Sequence, residues 1–565
     1  MSLSTEFSKN MNAAQPHSYY PRPSMVRDSY LSLNGVWNFA ALTDSEPQAT
    51  LGEKITVPFP PESSLSGIER EIKPSEYMHY MRSFSLPDGF LRSRVLLHLG
   101  AVDQTVCVYI NGREAGSHEG GYTPFTLDIT ELLCEGENTL YAIARDELSH
   151  DYPYGKQTRQ RGGMWYTPVS GIWQSVWLES VPERYIDSFR IDTDTARVKI
   201  RVFGGEDKKT LTLDSGKSLE FFGEELEFIP EGCELWTPES PNLYYFTLSS
   251  GEDSVRGYFA LREIRTEVIN GISRLTLNGK PYLFNGLLDQ GYFPDGIFLP
   301  ATEEGYAYDI STAKRLGFNM LRKHIKTEPE IFYHLCDKMG IFVFQDMINN
   351  SDYSFLRDTA LPTVGVQRIN DGNMHKNERS RKIFIDTMLE VADYTHNFPS
   401  VVCYTIFNEG WGQFSADEAY EILKEREPLR LIDSTSGWFR RKKSDFDSRH
   451  IYFKKLKVKK RTDKPLFLSE FGGYSHRVTG HLFGEKNYGY KTFEKREDFE
   501  RAFVSLYENE VIPLVRSGAS ALVYTQISDV EDETNGLLTY DRRVVKLDEE
   551  GCRALMEKVK SALGE

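Results

Sequence analysis

The stretch Ser400-Val-Val-Cys-Tyr-Thr-Ile-Phe-Asn-Glu-Gly-Trp-Gly412 decides how this chain folds. A run of apolar and β-branched residues ends in Asn408 and Glu409 and is followed by glycines. Such a run is typical of a buried parallel strand. An apolar strand that ends on a glutamate and glycines favours a carboxylate that is used at the strand's carboxyl end. We therefore predict that Glu409 is functional, and that its partner ends another strand of the same kind.

A second stretch, Lys464-Pro-Leu-Phe-Leu-Ser-Glu-Phe-Gly-Gly473, repeats this pattern and ends on Glu470. After Thr266 the sequence alternates between strand and helix patterns, which predicts a parallel sheet. The predicted strands lie near 282–288, 318–323, 341–346, 401–408, 430–435, 449–453, 465–470 and 519–525. The predicted helices lie near 303–316, 328–339, 378–396, 415–427, 498–516 and 549–563. Eight strands over about 300 residues indicate a (β/α)₈ TIM barrel.

The sequence before the barrel predicts two β-domains. Residues from about 30 to 182 are short alternating runs separated by turns such as Asn111-Gly112, which favours a jelly-roll sandwich. The more charged β-pattern that follows suits a small immunoglobulin-like sandwich. We therefore expect a multidomain chain: a jelly-roll, sugar-binding-like domain at 1–182, an immunoglobulin-like domain at 183–266 and a catalytic TIM barrel at 267–565. The long polar loop from Tyr154 to Trp165 has the character of one that reaches toward a neighbouring domain.

Composition narrows the class of protein. The 565 residues carry a formal charge of −16, which argues against a nucleic-acid binder. Six scattered cysteines show no zinc spacing, and no metal site is predicted. The sequence shows neither a signal peptide nor an apolar run long enough to cross a membrane. We expect a cytoplasmic protein with a carbohydrate partner and no organic cofactor. Assembly into a homo-oligomer stays open.

Polar side chains at the strand ends are the candidate site residues, because TIM barrels place their sites there. Two glutamates on opposite sides of the barrel mouth could attack a glycosidic bond from one face and protonate it from the other. A buried structural ion pair is the alternative for Glu409 and Glu470. The candidates are catalytic Glu409 and Glu470, and substrate-binding Asn408, Asp289, Arg322, His324, Tyr452 and Trp438.

The order of domains and several motifs resemble glycoside hydrolase family 2, the β-galactosidase and β-glucuronidase family. The resemblance covers most of the chain, from Leu33-Asn-Gly-Val-Trp37 through Ser170-Gly-Ile-Trp173 to Asn535-Gly-Leu-Leu-Thr-Tyr-Asp541. Asn319-Met-Leu-Arg-Lys-His324 with Asp337-Lys-Met-Gly-Ile-Phe-Val-Phe344 resembles one family signature, and Phe398-Pro-Ser-Val401 through Asn408-Glu409 resembles another.

The resemblance implies a role for each candidate. It makes Glu409 the acid/base and Glu470 the nucleophile of a retaining mechanism, with Asn408 on the sugar 2-hydroxyl. Tyr452 could hold Glu470 ionised by a hydrogen bond, and Arg322 could do so by charge. For Arg322, His324 and Tyr452, packing and support are the alternative. Trp438 is either a sugar platform or a core tryptophan.

The chain departs from the family pattern in several places, and some of these departures concern which sugar is bound. Tyr404 replaces the usual tryptophan four residues before Asn408. The first barrel strand leads into Leu287-Leu-Asp-Gln-Gly-Tyr-Phe-Pro-Asp-Gly296 in place of a His-rich segment, and Asp289 could take a sugar hydroxyl there. The Asn-x-Lys element with which β-glucuronidases hold the sugar carboxylate is not evident around Asn535-Gly-Leu537. A neutral sugar and β-galactosidase-like activity are therefore the leading reading.

Three alternatives stay open. One is a β-glucuronidase or other anionic-sugar hydrolase, favoured by the basic loops 440–443 and 454–461, which would otherwise be solvated surface. Another is a non-catalytic carbohydrate-binding protein, which the joint presence of Glu409, Glu470, Asn408 and Tyr452 disfavours. The last concerns the acidic segment 529–533, which could hold a cation, although an exposed acidic loop is the simpler interpretation.

Overall fold

The computed structural model describes residues 3–363, 370–458 and 463–564. It confirms the predicted fold class, with two β-sandwich regions followed by a parallel (β/α)₈ barrel. No helix among these residues is long and apolar enough to cross a membrane.

The N-terminal sandwich consists of two antiparallel sheets around an apolar core. Alternation along its strands buries one face of each sheet, and Trp37, at 1 % exposure, donates its indole N–H to Leu33 O at 2.7 Å. In spatial order, one sheet contains Tyr30–Ser32, Val176–Val181, Arg94–Leu99 and Phe125–Asp128. The other contains Glu53–Val57, Gly35–Leu42, Tyr77–Ser85, Glu137–Arg145, Thr105–Ile110 and Arg113–Glu119.

The second region is a smaller sandwich with a core of its own. Its core is built from residues such as Phe189, Phe246 and Phe259. Its three-stranded sheet contains Ile186–Thr193, Val198–Gly204 and Glu225–Phe228. Its four-stranded sheet contains Ser218–Phe222, Lys208–Leu213, Tyr244–Ser250 and Asp253–Phe259.

Eight parallel strands form the barrel, and nearly every residue in them is buried. Burial on both faces explains why strands such as Val401–Asn408 and Ala519–Thr525 are mostly apolar, whereas Asp447–Ile451 is polar. Numbered one to eight along the chain, they are Phe284–Asp289, Met320–Lys323, Phe342–Asp346, Val401–Asn408, Leu431–Ser436, Asp447–Ile451, Leu466–Gly472 and Ala519–Thr525. The hydrogen-bonded order runs from strand five back to strand one, and then through strands eight, seven and six.

Amphipathic helices cover the barrel at nearly the predicted positions. They span Glu304–Arg315, Glu330–Met339, Glu378–Thr395, Ala416–Arg426, Arg496–Leu506, Ile512–Arg516 and Glu549–Ser561, with short helical turns at Phe355–Ala360 and Leu361–Thr363. Asn377 caps one of these helices, since its side-chain oxygen accepts from Arg379 N and Ser380 N.

A three-stranded sheet closes the bottom of the barrel. It consists of Ile264–Ile269, Ile272–Leu277 and Lys280–Pro281. Leu275 and Leu277 from this sheet pack with Trp236 and with barrel residues such as Phe344 in one buried cluster. This sheet lies at the amino ends of the barrel strands. The candidate site residues lie at the opposite, carboxyl ends of those strands.

Candidate active site

Glu409 and Glu470 meet across the barrel mouth. Glu409 directly follows strand four, Glu470 lies in strand seven, and they are 7 % and 4 % exposed. One oxygen of each carboxylate and one nitrogen of His450 all lie within 4.8 Å of one another. The structure therefore brings together the two glutamates that the sequence selected separately.

A sharp backbone turn sets the direction of Glu409. Its φ is +53°, in the left-handed region, and Gly410 follows at +79°. A Cβ on Gly410 would lie 2.3 Å from the ring of Phe439, so only glycine fits there. The strained turn after an apolar strand explains why glycines follow the glutamate in sequence.

Two donors hold the carboxylate of Glu470. Arg322 Nη1 donates to Glu470 Oε1 at 3.1 Å, and the Tyr452 hydroxyl donates to Oε2. Burial and the charge of Glu470 raise the pKa of Tyr452 well above its usual value, so its hydroxyl keeps its proton. Both contacts therefore place a hydrogen-bond donor on the Glu470 carboxylate.

Arg322 links four groups of the site from a fully buried position. It donates to Asp346 Oδ1 at 2.9 Å, to Ser469 O at 3.0 Å and to Asn408 Oδ1 at 2.9 Å, besides Glu470. Burial alone would lower the pKa of Arg322, but the charges of Asp346 and Glu470 raise it. Because the amide oxygen of Asn408 accepts from Arg322, its NH₂ group is the donor that can face a sugar.

His324 lies beside this network as a neutral imidazole. Its Nδ1 is 2.8 Å from Asp346 Oδ2. Burial, and then the charge of Lys156, lower the pKa of His324 to about 4, against the opposing effect of Asp346. At neutral pH it is therefore a hydrogen-bonding group without charge.

His450 was not among the predicted site residues. Its Nδ1 lies 2.8 Å from Glu409 Oε1 and 3.6 Å from Glu470 Oε2, and its Nε2 lies 2.9 Å from Ser436 Oγ. The one available signal was its position two residues before Tyr452, since alternate residues of a strand share a face. Within strand six it looked like an ordinary core position.

Asp289, a predicted substrate-binding residue, is held by two contacts within the protein. Its Oδ2 accepts from Lys323 Nζ at 2.6 Å, and its Oδ1 accepts from Gly291 N at 2.9 Å. Burial would raise the pKa of Asp289, but the charge of Lys323 lowers it. Since Lys323 also binds Glu328, Asp289 belongs to a buried ionic cluster, and these contacts argue against a sugar-binding role.

Trp438 lies at the edge of the site. It is half-buried, and its ring centroid is 6.2 Å from that of His450, at an angle of 59°. The ring of Trp438 therefore lies close to His450, which contacts Glu409, and it is not fully buried in the core. Its role as a sugar platform stays a prediction.

The loop after Tyr154 reaches the barrel mouth, as the sequence indicated. Tyr154 N donates to Asn349 O at 3.0 Å, and the ring of Trp165 stacks on that of Trp411 with centroids 5.4 Å apart. At its far end Thr167 N donates to Glu531 Oε1 at 2.8 Å, and the Tyr166 hydroxyl donates to Glu533. The N-terminal domain thus forms part of the wall of the site.

The segment 529–533 is not the exposed acidic loop that the simpler interpretation expected. Asp529 pairs with Lys546 at 2.7 Å, while Glu531 and Glu533 are 5 % and 3 % exposed and accept bonds from the N-terminal domain. Glu531 and Glu533 therefore bind the N-terminal domain to the barrel.

Most of the basic loop 440–443 is committed to structural ion pairs. Arg440 pairs with Asp447 at 3.1 Å, Arg441 with Asp371 at 3.2 Å, and Lys443 with Glu421. Part of the second basic loop, 459–461, lies outside the described residues. Because these charges are used within the protein, the contacts of loop 440–443 favour a surface loop over one that binds an anionic sugar.

Within the described ranges, one group of acidic and histidine side chains is compact enough to hold a metal ion, and it is Glu409, His450 and Glu470. Nitrogen and carboxylate ligands of this kind suit zinc. A cation there would occupy the two carboxylates that face each other across the mouth.

Paired carboxylates at the mouth of a (β/α)₈ barrel are typical of glycoside hydrolases. Residues 268–548 match the model of the glycosyl hydrolases family 2 TIM barrel domain, and residues 69–182 match that of the glycosyl hydrolases family 2 sugar binding domain. The chain belongs to glycoside hydrolase family 2, which confirms the resemblance.

Sequence relatives of known name include enzymes for two sugars. A β-galactosidase of Priestia megaterium is 22% identical over 568 residues, covering 92% of this chain and 51% of its own length. A β-glucuronidase of Felis catus is 25% identical over 446 residues, covering 69% of this chain and 65% of its own. The chain thus spans about half the length of the first relative.

Solved structures of uronidases share the fold. A β-D-glucuronidase of Dictyoglomus thermophilum superposes with a TM-score of 0.73 at 18% identity, covering 96% of this chain and 98% of its own. A family 2 β-galacturonidase of Eisenbergiella tayi, bound to galacturonate, gives 0.69 at 20% identity, covering 94% and 97%.

Proposed function

We propose that this protein is a retaining exo-β-glycosidase in which Glu470 is the nucleophile and Glu409 the acid/base. The observation that carries this proposal is the separation of the two carboxylates. One oxygen of Glu409 lies within 4.8 Å of one oxygen of Glu470, which leaves little room between the two carboxylates. Retaining enzymes hold their carboxyl groups about 5–5.5 Å apart, whereas inverting enzymes need about 6.5–9.5 Å to fit a water molecule.

The contacts of the two glutamates support this division of roles. Glu470 receives a guanidinium N–H and a tyrosine O–H, which favours the anion that must attack carbon. Glu409 Oε1 lies 2.8 Å from His450 Nδ1, which donates or accepts this hydrogen bond according to the tautomer of the ring, so the contact is compatible with either the protonated or the ionised carboxyl. A group that gives up and then recovers a proton suits this second environment.

The reaction then has two displacement steps. Glu470 attacks the anomeric carbon while Glu409 protonates the departing glycosidic oxygen, so the C–O bond breaks and a glycosyl ester forms. Glu409, now ionised, takes a proton from water as the water oxygen attacks the same carbon. The ester bond breaks, Glu470 is released as a carboxylate, and the sugar keeps its configuration.

The wall from the N-terminal domain supports action at chain ends. The loop that carries Trp165 docks on the rim beside Trp411 and closes that side of the mouth. A cleft closed on one side accepts a terminal sugar more readily than the middle of a polysaccharide.

Two sugars are candidates. A neutral β-galactoside is favoured because Asn535-Gly-Leu537 has leucine at the lysine position of an Asn-x-Lys element, and because the Asn535 amide is already bonded to Glu533 and Gln526. A uronic acid is favoured by one observation: the largely buried Lys156 forms no ion pair with a carboxylate among the described residues.

Hydrolysis of aryl β-glycosides tests the proposal. The wild-type protein should hydrolyse at least one of the galactoside, glucuronide, galacturonide, glucoside and mannoside, and Glu470→Gln should abolish this activity. Glu425→Gln, at an exposed helical position, is the control. Sugar binding without hydrolysis of any of these glycosides would contradict the enzyme and favour a carbohydrate-binding protein.

A further inference from the structure

The side chain of Lys156 is largely buried and has no carboxylate partner among the described residues. It is 7 % exposed and comes from the N-terminal domain, in the loop that docks on the barrel. Its Nζ lies 5.7 Å from the ring centroid of Trp411 and 5.6 Å from that of Tyr166. Among the described residues no carboxylate forms an ion pair with it, and no acceptor takes a hydrogen bond from its Nζ.

Five other buried cations of the barrel, among the described residues, are each paired with a carboxylate. Each has a carboxylate within ion-pair distance, as expected of buried charge. The pairs are Arg322 with Asp346 and Glu470, Lys323 with Asp289 and Glu328, Lys326 with Glu328, Arg542 with Asp309, and Lys546 with Asp529. Lys156 stands apart from this pattern.

The two aromatic rings do not satisfy the ammonium group. Cation–π contacts stabilise a cation by about 0.5–2 kcal/mol, but an ammonium has three N–H donors, which need oxygen acceptors. A buried charge without an acceptor is unfavourable in free energy. An oxyanion that enters the site would supply both the hydrogen-bond acceptor and the negative charge that the described residues do not provide to Lys156.

Lys156 lies on the wall of the active site. Trp411, under its ammonium, is two residues beyond Glu409. The charge of Lys156 also acts on His324, whose partner Asp346 is bonded to Arg322 and hence to Glu470. The ammonium is therefore near the ends of strands two and four, on the same mouth as the two glutamates.

The loop after strand eight offers no free cation for this purpose within the described residues. Lys546 and Arg542 are held by Asp529 and Asp309, and the Asn535 amide is bonded on both sides. A residue that binds an anionic substituent of the sugar would therefore have to come from another part of the active-site wall.

We infer that Lys156 binds a negatively charged substituent of the terminal sugar, a uronic-acid carboxylate or a sulfate ester, and so makes this protein selective for anionic glycosides. The inference rests on the proposed function, because it concerns the sugar held between Glu409 and Glu470. It assigns the choice of sugar to the N-terminal domain.

Substitution of Lys156 tests this inference with four aryl substrates: β-glucuronide, β-galacturonide, 6-sulfo-β-galactoside and β-galactoside. Lys156→Met keeps a chain of similar length over the two rings and removes the charge. We expect the ratio of kcat/KM for the preferred anionic substrate to that for the β-galactoside to fall about 10- to 100-fold, the loss of one charge-assisted contact. Lys156→Arg should retain most of the ratio, and Lys73→Met, at an exposed position of the same domain, should leave it unchanged.

The substrates also distinguish the source of the anion, since the uronides carry a carboxylate and the sulfo-galactoside a sulfate. A wild-type preference for the neutral galactoside over all three anionic substrates would overturn the inference. So would an equal loss on all four substrates in Lys156→Met, which would make the lysine a structural or hydroxyl-binding group.

Failure of the proposed function looks different. In that case no substrate is turned over by the wild-type protein, or Glu470→Gln retains activity. Binding of glucuronate, galacturonate and galactose 6-sulfate to the Glu470→Gln variant, measured by calorimetry against galactose, then still tests Lys156. Tighter binding of an anion that is lost in the double variant with Lys156→Met supports the inference, and equal binding of all four sugars contradicts it.

Discussion

His450 Nδ1 lies 2.8 Å from Oε1 of Glu409, and the same nitrogen lies 3.6 Å from Oε2 of Glu470. One imidazole therefore contacts the proposed acid/base directly and approaches the proposed nucleophile. Its other nitrogen is fixed by Ser436 Oγ at 2.9 Å, so the ring cannot turn away without losing that bond. If Glu409 is the acid/base, as proposed, this contact predicts that His450 positions the carboxyl group that transfers the proton.

Replacing His450 by asparagine should impair proton transfer more than attack on carbon. General acid catalysis contributes about 10²–10⁴-fold, and only poor leaving groups need it fully. We expect kcat/KM for a phenyl glycoside to fall at least about 10-fold more than that for a dinitrophenyl glycoside. Steady-state rates over a series of phenols measure this difference. Equal losses across the series would make His450 a merely structural residue.

Replacing Arg322 by methionine should destabilise the folded protein strongly. Asp346 and Glu470 would remain buried without their cation, and breaking a buried pair costs about 3–5 kcal/mol. The free energy of unfolding in urea measures this. Arg197→Met, which removes an exposed pair with Glu227, should change it by about 1 kcal/mol or less. A similar small change for Arg322→Met would mean that Arg322 does not hold the site together.

Stability should decrease in mild acid, partly because of His324. Its pKa is lowered to about 4 in the folded chain, so between the ordinary value of 6.5 and about 4 the unfolded chain binds a proton that the folded chain does not. This lowers the free energy of unfolding as pH falls through that window, by up to about 3 kcal/mol for this residue.

The variant His324→Gln tests this effect. It should lose less stability than the wild type between pH 7 and pH 4.5 in urea unfolding. Lys156→Met should also lose less, because the lysine charge contributes to the lowered pKa. Parallel losses in all three proteins would contradict the assigned environment of His324.

Zinc should inhibit the protein, because Glu409, His450 and Glu470 present ligand atoms within 4.8 Å of one another. We expect inhibition to be competitive with a glycoside, to be reversed by a chelator, and to weaken in His450→Asn. Assays with and without zinc measure this. Zinc-dependent activation would show instead that the cluster is a metal centre.

The sequence revealed the parts of the site that are local in the chain. Glu409 and Glu470 each follow an apolar run and precede glycines, and that pattern records the strand end and the turn after it. The fold class followed from the alternation of strands and helices. The predicted strand six at 449–453 differs from the observed Asp447–Ile451 by two residues at each end, because its apolar pattern is short and interrupted by charge.

The sequence did not reveal contacts between distant segments. Lys323, which binds Asp289, is 34 residues away, and Lys156 reaches the mouth from another domain. Neither contact can be inferred from the residues that are adjacent in the sequence. His450 was missed for a different reason, since a histidine inside a strand has the same appearance whether it packs in the core or faces a carboxylate.

The most direct test of the central claim is to trap the glycosyl ester. The protein is treated with an activated 2-deoxy-2-fluoro-β-glycoside of its best sugar, digested, and analysed by mass spectrometry. The account predicts loss of activity with one fluorosugar on the peptide that contains Glu470, and no label in Glu470→Gln. A label on Glu409, or an unlabelled protein whose first-formed product has the inverted anomeric configuration by NMR, would contradict it.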